Sequence, residues 1–281
     1  MPADLPIADA HLHIWDAQAH RYPWLGEQPL PFRYGDYSAL PRRYLVDDYR
    51  RDASGWRVVR GVHIEAEWDS ADPVGEMDFI AEVRARDGFP TVAVAPAWLD
   101  REDCAALLET QAAHGFVRGV RHKPRRGQMQ DARWRSGFAL LAPLRLHFEL
   151  QAPWPELDDA ARLARDYSYT TIVLNHAGLP LPGEFEGWRA AMARLASCDN
   201  VAAKISGLGN LDGTEKRRVI DVVLELFGAR RVMFASNYPV DSLRASYDAI
   251  YALFDDATRG LSGAERRALF HDNALRLYRM E

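Results

Sequence analysis

The run Leu5-Pro6-Ile7-Ala8-Asp9-Ala10-His11-Leu12-His13-Ile14-Trp15-Asp16 decides how the rest of the chain is read. Apolar residues lead into two histidines one residue apart. In a β-strand, positions i and i+2 point to the same face, so His11 and His13 would project together from one strand end. Two imidazoles so placed can share a metal ion or polarise one substrate oxygen.

Working outward, the pattern recurs. Short apolar, β-branched runs lie at Pro6–His13, Val58–Glu65, Thr91–Ala97, Val117–His122, Leu146–Gln151, Thr170–His176, Val201–Ser206 and Val232–Ser236. Near-continuous apolar runs are the mark of parallel strands covered on both faces. Helix-like stretches fall between them: Ala71–Arg86, Arg101–His114, Glu156–Tyr167, Phe185–Cys198, Gly213–Phe227 and Asp241–Phe254. Ile220, Val223, Leu224 and Phe227 form one apolar stripe at helical spacing, and Asp100 and Asp212 stand where N-caps are expected. Strand–helix alternation predicts βαβ units. Eight of them without a break in composition predict one (β/α)8 TIM barrel over residues 1–281. One connection is abnormally long. Residues 15–57 carry Trp15, Tyr22, Trp24, Phe32, Tyr34, Tyr37 and Tyr44 among several prolines, and a loop of this length is expected to act as a lid or binding loop.

The 281 residues are 48% hydrophobic, ample for a large core, and carry a formal net charge of −5. That balance argues against a nucleic-acid partner and gives no membrane signal. No apolar stretch approaches the roughly 20 residues that span a bilayer. No basic segment followed by an apolar run opens the chain, so a cytoplasmic protein is expected. Cys104 and Cys198 are expected to be free and reduced. Positive charge is almost all arginine; Lys123, Lys204 and Lys216 are the only lysines.

Chemistry-bearing residues gather at the C-terminal ends of the runs, where a barrel builds its site. Asn175-His176-Ala177-Gly178 offers a third imidazole to His11 and His13, and three histidines plus a water is a known catalytic zinc arrangement. Ser236-Asn237-Tyr238-Pro239-Val240-Asp241 supplies Asn237, whose amide cannot serve as a base near neutral pH, and Asp241, which can if it reaches inward. Glu65, on one face with His63, is a second candidate carboxylate. Arg121, His122, Lys123, Arg125 and Arg126 form the densest basic cluster, suited to an anionic substrate. Lys204, costly in an apolar strand unless paired, is expected to pair with Glu65 or to contact substrate. Trp15 and Tyr22 are expected to wall the substrate from the long loop.

Taken together, Ala10-His11-Leu12-His13-Ile14-Trp15-Asp16, Arg21-Tyr22-Pro23-Trp24-Leu25, Gly119-Val120-Arg121-His122, Asn175-His176-Ala177-Gly178, Lys204-Ile205-Ser206-Gly207-Leu208, Phe234-Ala235-Ser236-Asn237-Tyr238-Pro239-Val240 and Phe270-His271-Asp272-Asn273-Ala274-Leu275-Arg276-Leu277-Tyr278 resemble the amidohydrolase superfamily. The branch is the lactonase-like one that includes 2-pyrone-4,6-dicarboxylate, fuconolactone and rhamnonolactone lactonases. The resemblance runs nearly end to end. It implies a distorted barrel and hydrolysis of a small carboxylated or sugar-derived lactone by water attack on the carbonyl. By position, His11, His13 and His176 match the family's site histidines and would be the metal ligands if zinc is bound. The departure is Asn237, where many relatives carry the catalytic Asp. It implies a divalent ion that is weakly held or dispensable. The base would then be Asp241 or Glu65, with Arg121, His122, Lys204 and Asn237 on the substrate. A metal-dependent decarboxylase on the same barrel and a non-catalytic binding barrel are the alternatives. The expected partners are a small anionic substrate and, at most, a second copy of the chain.

Overall fold

Each apolar run becomes a strand of one parallel sheet in the computed structural model, which describes residues 5–25 and 34–280. The strands are β1 (Ile7–Leu12), β2 (Val58–Ile64), β3 (Val92–Pro96), β4 (Val117–His122), β5 (His147–Leu150), β6 (Ile172–Leu174), β7 (Val201–Ile205) and β8 (Val232–Phe234). They pair in strict chain order, each with the next. The ring closes beyond the regular ladders. Leu12 bridges Tyr238, the His13 N–H donates to the Tyr238 carbonyl (2.8 Å), and the Asn237 N–H donates to the His11 carbonyl (2.8 Å). This is the expected (β/α)8 barrel.

Its helices are α1 (Val46–Asp52), α2 (Gly75–Asp87), α3 (Cys104–Ala113), α4 (Ala132–Ala139), α5 (Leu157–Asp166), α6 (Phe185–Ala196), α7 (Gly213–Phe227) and α8 (Tyr247–Ala257), followed by the short helices Gly263–Arg267 and Asn273–Leu277. The expected cap at Asp212 is present: its side chain accepts from the Glu215 N–H, and Glu215 reciprocates. The cap at Asp100 is not. α3 starts at Cys104, and Asp100 instead accepts from the Gln128 side chain (2.7 Å). The helix expected over Asp241–Phe254 splits into a short 3-10 turn, Val240–Leu243, and α8, whose cap is Ser246. Cys104 and Cys198 are buried free thiols.

Ala8, Ala10, Val62, Ile64, Val92 and Val94 belong to a core cluster that also takes in Tyr278 and Met280 of the C-terminal segment. A larger cluster joins the strands to the helices. Among the described residues, no helix is long and apolar enough to cross a membrane.

The long connection after β1 is ordered over its described residues. Trp15–Asp16 pairs with Arg43–Tyr44 in a small antiparallel ladder, Pro23–Leu25 makes a 3-10 turn, and α1 ends it. Phe32, with Pro29 and Pro31, lies outside the described residues.

Candidate active site

His11 and His13 leave the end of β1, where the ladder to β2 shifts register between Asp9 and Leu12. Such irregularities re-aim side chains at barrel rims. Their Nε2 atoms lie 3.2 Å apart, and the His176 ring comes to 4.7 Å from that of His11. The three expected imidazoles therefore converge. His13 Nδ1 is 2.7 Å from the Ile64 carbonyl, and His176 Nδ1 is 2.8 Å from Ser206 Oγ. Asn237 completes the group, its Oδ1 3.3 Å from His13 Nε2. Burial holds the His11 and His13 imidazoles well below the usual histidine range. Nearby cations add to this, chiefly Lys204 for His11 and Arg121 for His13.

A pocket of about 80 Å³ opens onto His13, His176 and Asn237, whereas His11 is fully buried and does not line it. His13, His176, Asn237, Arg121, Lys123 and Gln151 supply its polar lining, and Trp24, Tyr34 and Tyr37 its aromatic wall. Three of the lining residues, Glu67 (φ 56°), His176 (φ 53°) and Asn237 (φ 55°), are non-glycine residues in the left-handed region. Such conformations cost about 1–3 kcal/mol each and cluster where side chains must be aimed.

The carboxylates are placed otherwise than expected. Asp241 sits behind Asn237, 5% exposed. Its Oδ1 accepts from the Asn237 amide (2.7 Å) and the Tyr34 hydroxyl (2.8 Å), and its Oδ2 from the Gly207 N–H (3.0 Å). It orients the amide and does not line the pocket. Glu65 accepts from Arg121 Nε, and its carbonyl from Arg121 Nη2; Gln151 accepts from Arg121 Nη1 (3.2 Å). Only part of the guanidinium fork is left for a ligand. Lys123 pairs with Glu67.

Other nominations fall outside the pocket. Lys204 pairs with Glu149 (2.7 Å), not Glu65, and both are fully buried. Burial pulls the Lys204 ammonium down to about 8, against the opposing pull of Glu149, so it stays charged at neutral pH. Lys204 does not line the pocket; an ammonium in an apolar strand must find its counter-ion inside the barrel. His122 accepts at Nδ1 from the Trp134 indole (2.9 Å) and faces a neighbouring cleft. Trp15 is fully buried, its indole bonded to the Pro41 carbonyl (2.8 Å), and Tyr22 is buried against Trp68. Both pin the loop. The loop residues that do reach the pocket are Trp24, Tyr34 and Tyr37, which carry the same aromatic signal in sequence but lie deeper in the connection. Ser206, the residue after β7, is not singled out by the sequence reading, although it stands in the quoted Lys204-Ile205-Ser206-Gly207.

The metal set expected from His11, His13 and His176 is not formed. Among the described residues, no three His, Cys, Asp or Glu side chains gather as a metal-holding group. The oxygen that stands beside His13 Nε2 belongs to a neutral amide, a weaker donor than a carboxylate. The His11 Nδ1 faces the Lys204 ammonium (3.5 Å), where a metal-bound histidine normally meets an acceptor. The donor set does not fit a firmly held ion.

The chain is 38% identical over 296 residues to the uncharacterized protein y4mH of Sinorhizobium fredii (strain NBRC 101917 / NGR234), covering 99% of this chain and all of that one. It is 28% identical over 294 residues to an L-fucono-1,5-lactonase of Burkholderia multivorans (strain ATCC 17616 / 249), covering 96% and 95% of the two chains. A crystal structure of an amidohydrolase from Burkholderia multivorans with bound zinc superposes with a TM-score of 0.83 at 26% identity, covering 98% and 99%. The amidohydrolase family model matches residues 8–280. The chain belongs to the amidohydrolase family.

Proposed function

We propose that the protein is a lactonase that opens a small sugar-derived lactone. The observation that carries this reading is the convergence of His13, His176 and Asn237 on one pocket with an aromatic wall. Its charges favour a neutral or singly charged sugar lactone over a multiply acidic one. Arg121 is paired with Glu65 and Lys123 with Glu67, so the cationic cluster of the sequence is largely compensated. Trp24, Tyr34 and Tyr37 offer faces against which a sugar ring can pack. The relative named L-fucono-1,5-lactonase supports the same class.

The base moves from the carboxylates to His176. Asp241 is held by three hydrogen bonds and Glu65 by an ion pair, whereas His176 lines the pocket with its Nδ1 on Ser206 Oγ. A base oriented through its far nitrogen is the arrangement general-base catalysis needs. A water against His176 attacks the lactone carbonyl and gives its proton to the imidazole. The ring oxygen leaves as an alcohol and takes that proton back. Asn237, fixed by Asp241, orients the substrate through hydrogen bonds, and the free edge of Arg121 faces the developing negative charge.

The test is hydrolysis of a panel of sugar and carboxylated lactones by the wild type, His176→Asn and Ser206→Ala. Activity on sugar lactones should fall by about 10²–10⁴ in His176→Asn and less in Ser206→Ala. Undiminished turnover in His176→Asn overturns the base. Carbon dioxide release from aromatic acids, or stabilisation by ligands that never turn over, overturns the reaction.

A further inference from the structure

We infer that Lys204 is a positioning residue that fixes the tautomer of His11 and so withholds the His11 Nε2 from a metal ion. The argument is one of donors and acceptors. Lys204 Nζ lies 2.7 Å from Glu149 Oε2 and 3.5 Å from His11 Nδ1. Glu149 is itself anchored, accepting from the Tyr278 hydroxyl (2.6 Å) and lying 3.2 Å from His147 Nε2. An ammonium has three hydrogens and no lone pair, so it can only donate. The contact with His11 is attractive when Nδ1 carries no hydrogen, and a neutral imidazole then carries its hydrogen on Nε2.

That hydrogen points at His13 Nε2, 3.2 Å away. The role of His13 is fixed independently from its other side. A backbone carbonyl only accepts, so the His13 Nδ1 at 2.7 Å from the Ile64 oxygen carries the hydrogen, and its Nε2 is an acceptor. The two assignments, made from opposite ends, agree. Lys204 donates to His11, His11 to His13, and His13 to Ile64, with no donor facing a donor along the line; the Asn237 Oδ1, 3.3 Å from His13 Nε2, is a second acceptor beside the His11–His13 bond and receives no hydrogen from His13.

A spacing of 3.2 Å between two imidazole nitrogens also suits two ligands of one tetrahedral ion, and the far nitrogens decide between the readings. A metal-bound histidine almost always donates its far N–H to a carboxylate, carbonyl or water. His13 does so; His11 meets a cation. A divalent ion at His11 Nε2 must displace a hydrogen that Lys204 holds in place. The inference rests on the site proposed above only for where His11 lies. The tautomer is measured without turnover, so a wrong tautomer and a wrong reaction fail separately.

The experiment is nuclear magnetic resonance of the full-length protein labelled with nitrogen-15 histidine, near neutral pH, with signals assigned through His11→Gln and His13→Gln. His11 should show its hydrogen on Nε2 and His13 on Nδ1. A His11 hydrogen on Nδ1 overturns the proposal. Zinc titrated into the wild type should leave the His11 Nε2 hydrogen in place at one equivalent, and its loss also overturns it. The double variant Lys204→Met with Glu149→Gln removes both buried charges together. If folded by circular dichroism, it should lose the single His11 tautomer and bind zinc at least about tenfold tighter by calorimetry. An unchanged tautomer and zinc affinity in that folded variant reject the role of Lys204. If the variant does not fold, the wild-type spectra decide.

Discussion

Asn237 shows what one residue can settle. Its Nδ2 donates to Asp241 Oδ1 at 2.7 Å, so its Oδ1 must face His13. Replacement by aspartate would set two carboxylates against each other, and such a pair cannot be fully ionised. Asn237→Asp should therefore be less stable than wild type at pH 7, by about 1–3 kcal/mol. The folded pKa of the new acid pair would be raised, so the penalty should shrink as pH falls. Melting temperatures of variant and wild type at pH 7 and pH 5 check this. Equal values at pH 7 would mean that the amide is not tied to Asp241. The residue-level sequence reading found the imidazoles, because a histidine at a strand end is conspicuous. It misjudged the acids, because an aspartate four residues on could reach inward or backward, and only the Tyr34 hydroxyl and the Gly207 N–H reveal which.

At the level of elements, the loop after β1 divides its aromatics between two tasks. Trp15 is fully buried and packs edge-to-face on Trp24. Trp24 itself reaches the pocket, with its indole donating to the Ala66 carbonyl (2.7 Å). Trp15→Ala should cost about 3–5 kcal/mol of stability in denaturant unfolding. Trp24→Ala should instead raise KM by about tenfold with kcat less affected, the loss of uniform binding. The reverse pattern would exchange their roles. β4 and α7 were legible to the residue, since apolar periodicity and an Asp–Glu capping box mark their ends. α1 and α4 were not read, being short and embedded in polar, aromatic-rich connections where periodicity has too few turns to register. The break between Val240–Leu243 and α8 has a local mark in the Ser246 cap, which the apolar periodicity of Asp241–Phe254 does not register.

For the whole molecule, burial of neutral imidazoles sets the response to acid. Burial depresses the His63 pKa to about 3, and His11 and His13 are lowered in the same sense. Unfolded, each titrates near 6.5. The unfolded chain thus binds more protons below that pH, and stability, complete above about 6.5, falls as pH drops towards the depressed values. Each such ring contributes at most about 1.4 kcal/mol per pH unit over that window, and Glu76, 3.2 Å from His63 Nε2 and raised well above the usual carboxylate range by burial, works in the opposite sense. Calorimetry should show the melting temperature falling by roughly 4 °C or more between pH 7 and pH 5; no fall would mean that these rings are not buried in the neutral state. The barrel's closure has a consequence of its own. His13 and Asn237 face each other across the junction of the first and last strands, held by the hydrogen bonds that join them. This wall of the pocket thus exists only on a chain in which β8 has docked on β1. Its appearance reports that two segments 224 residues apart in the chain have met.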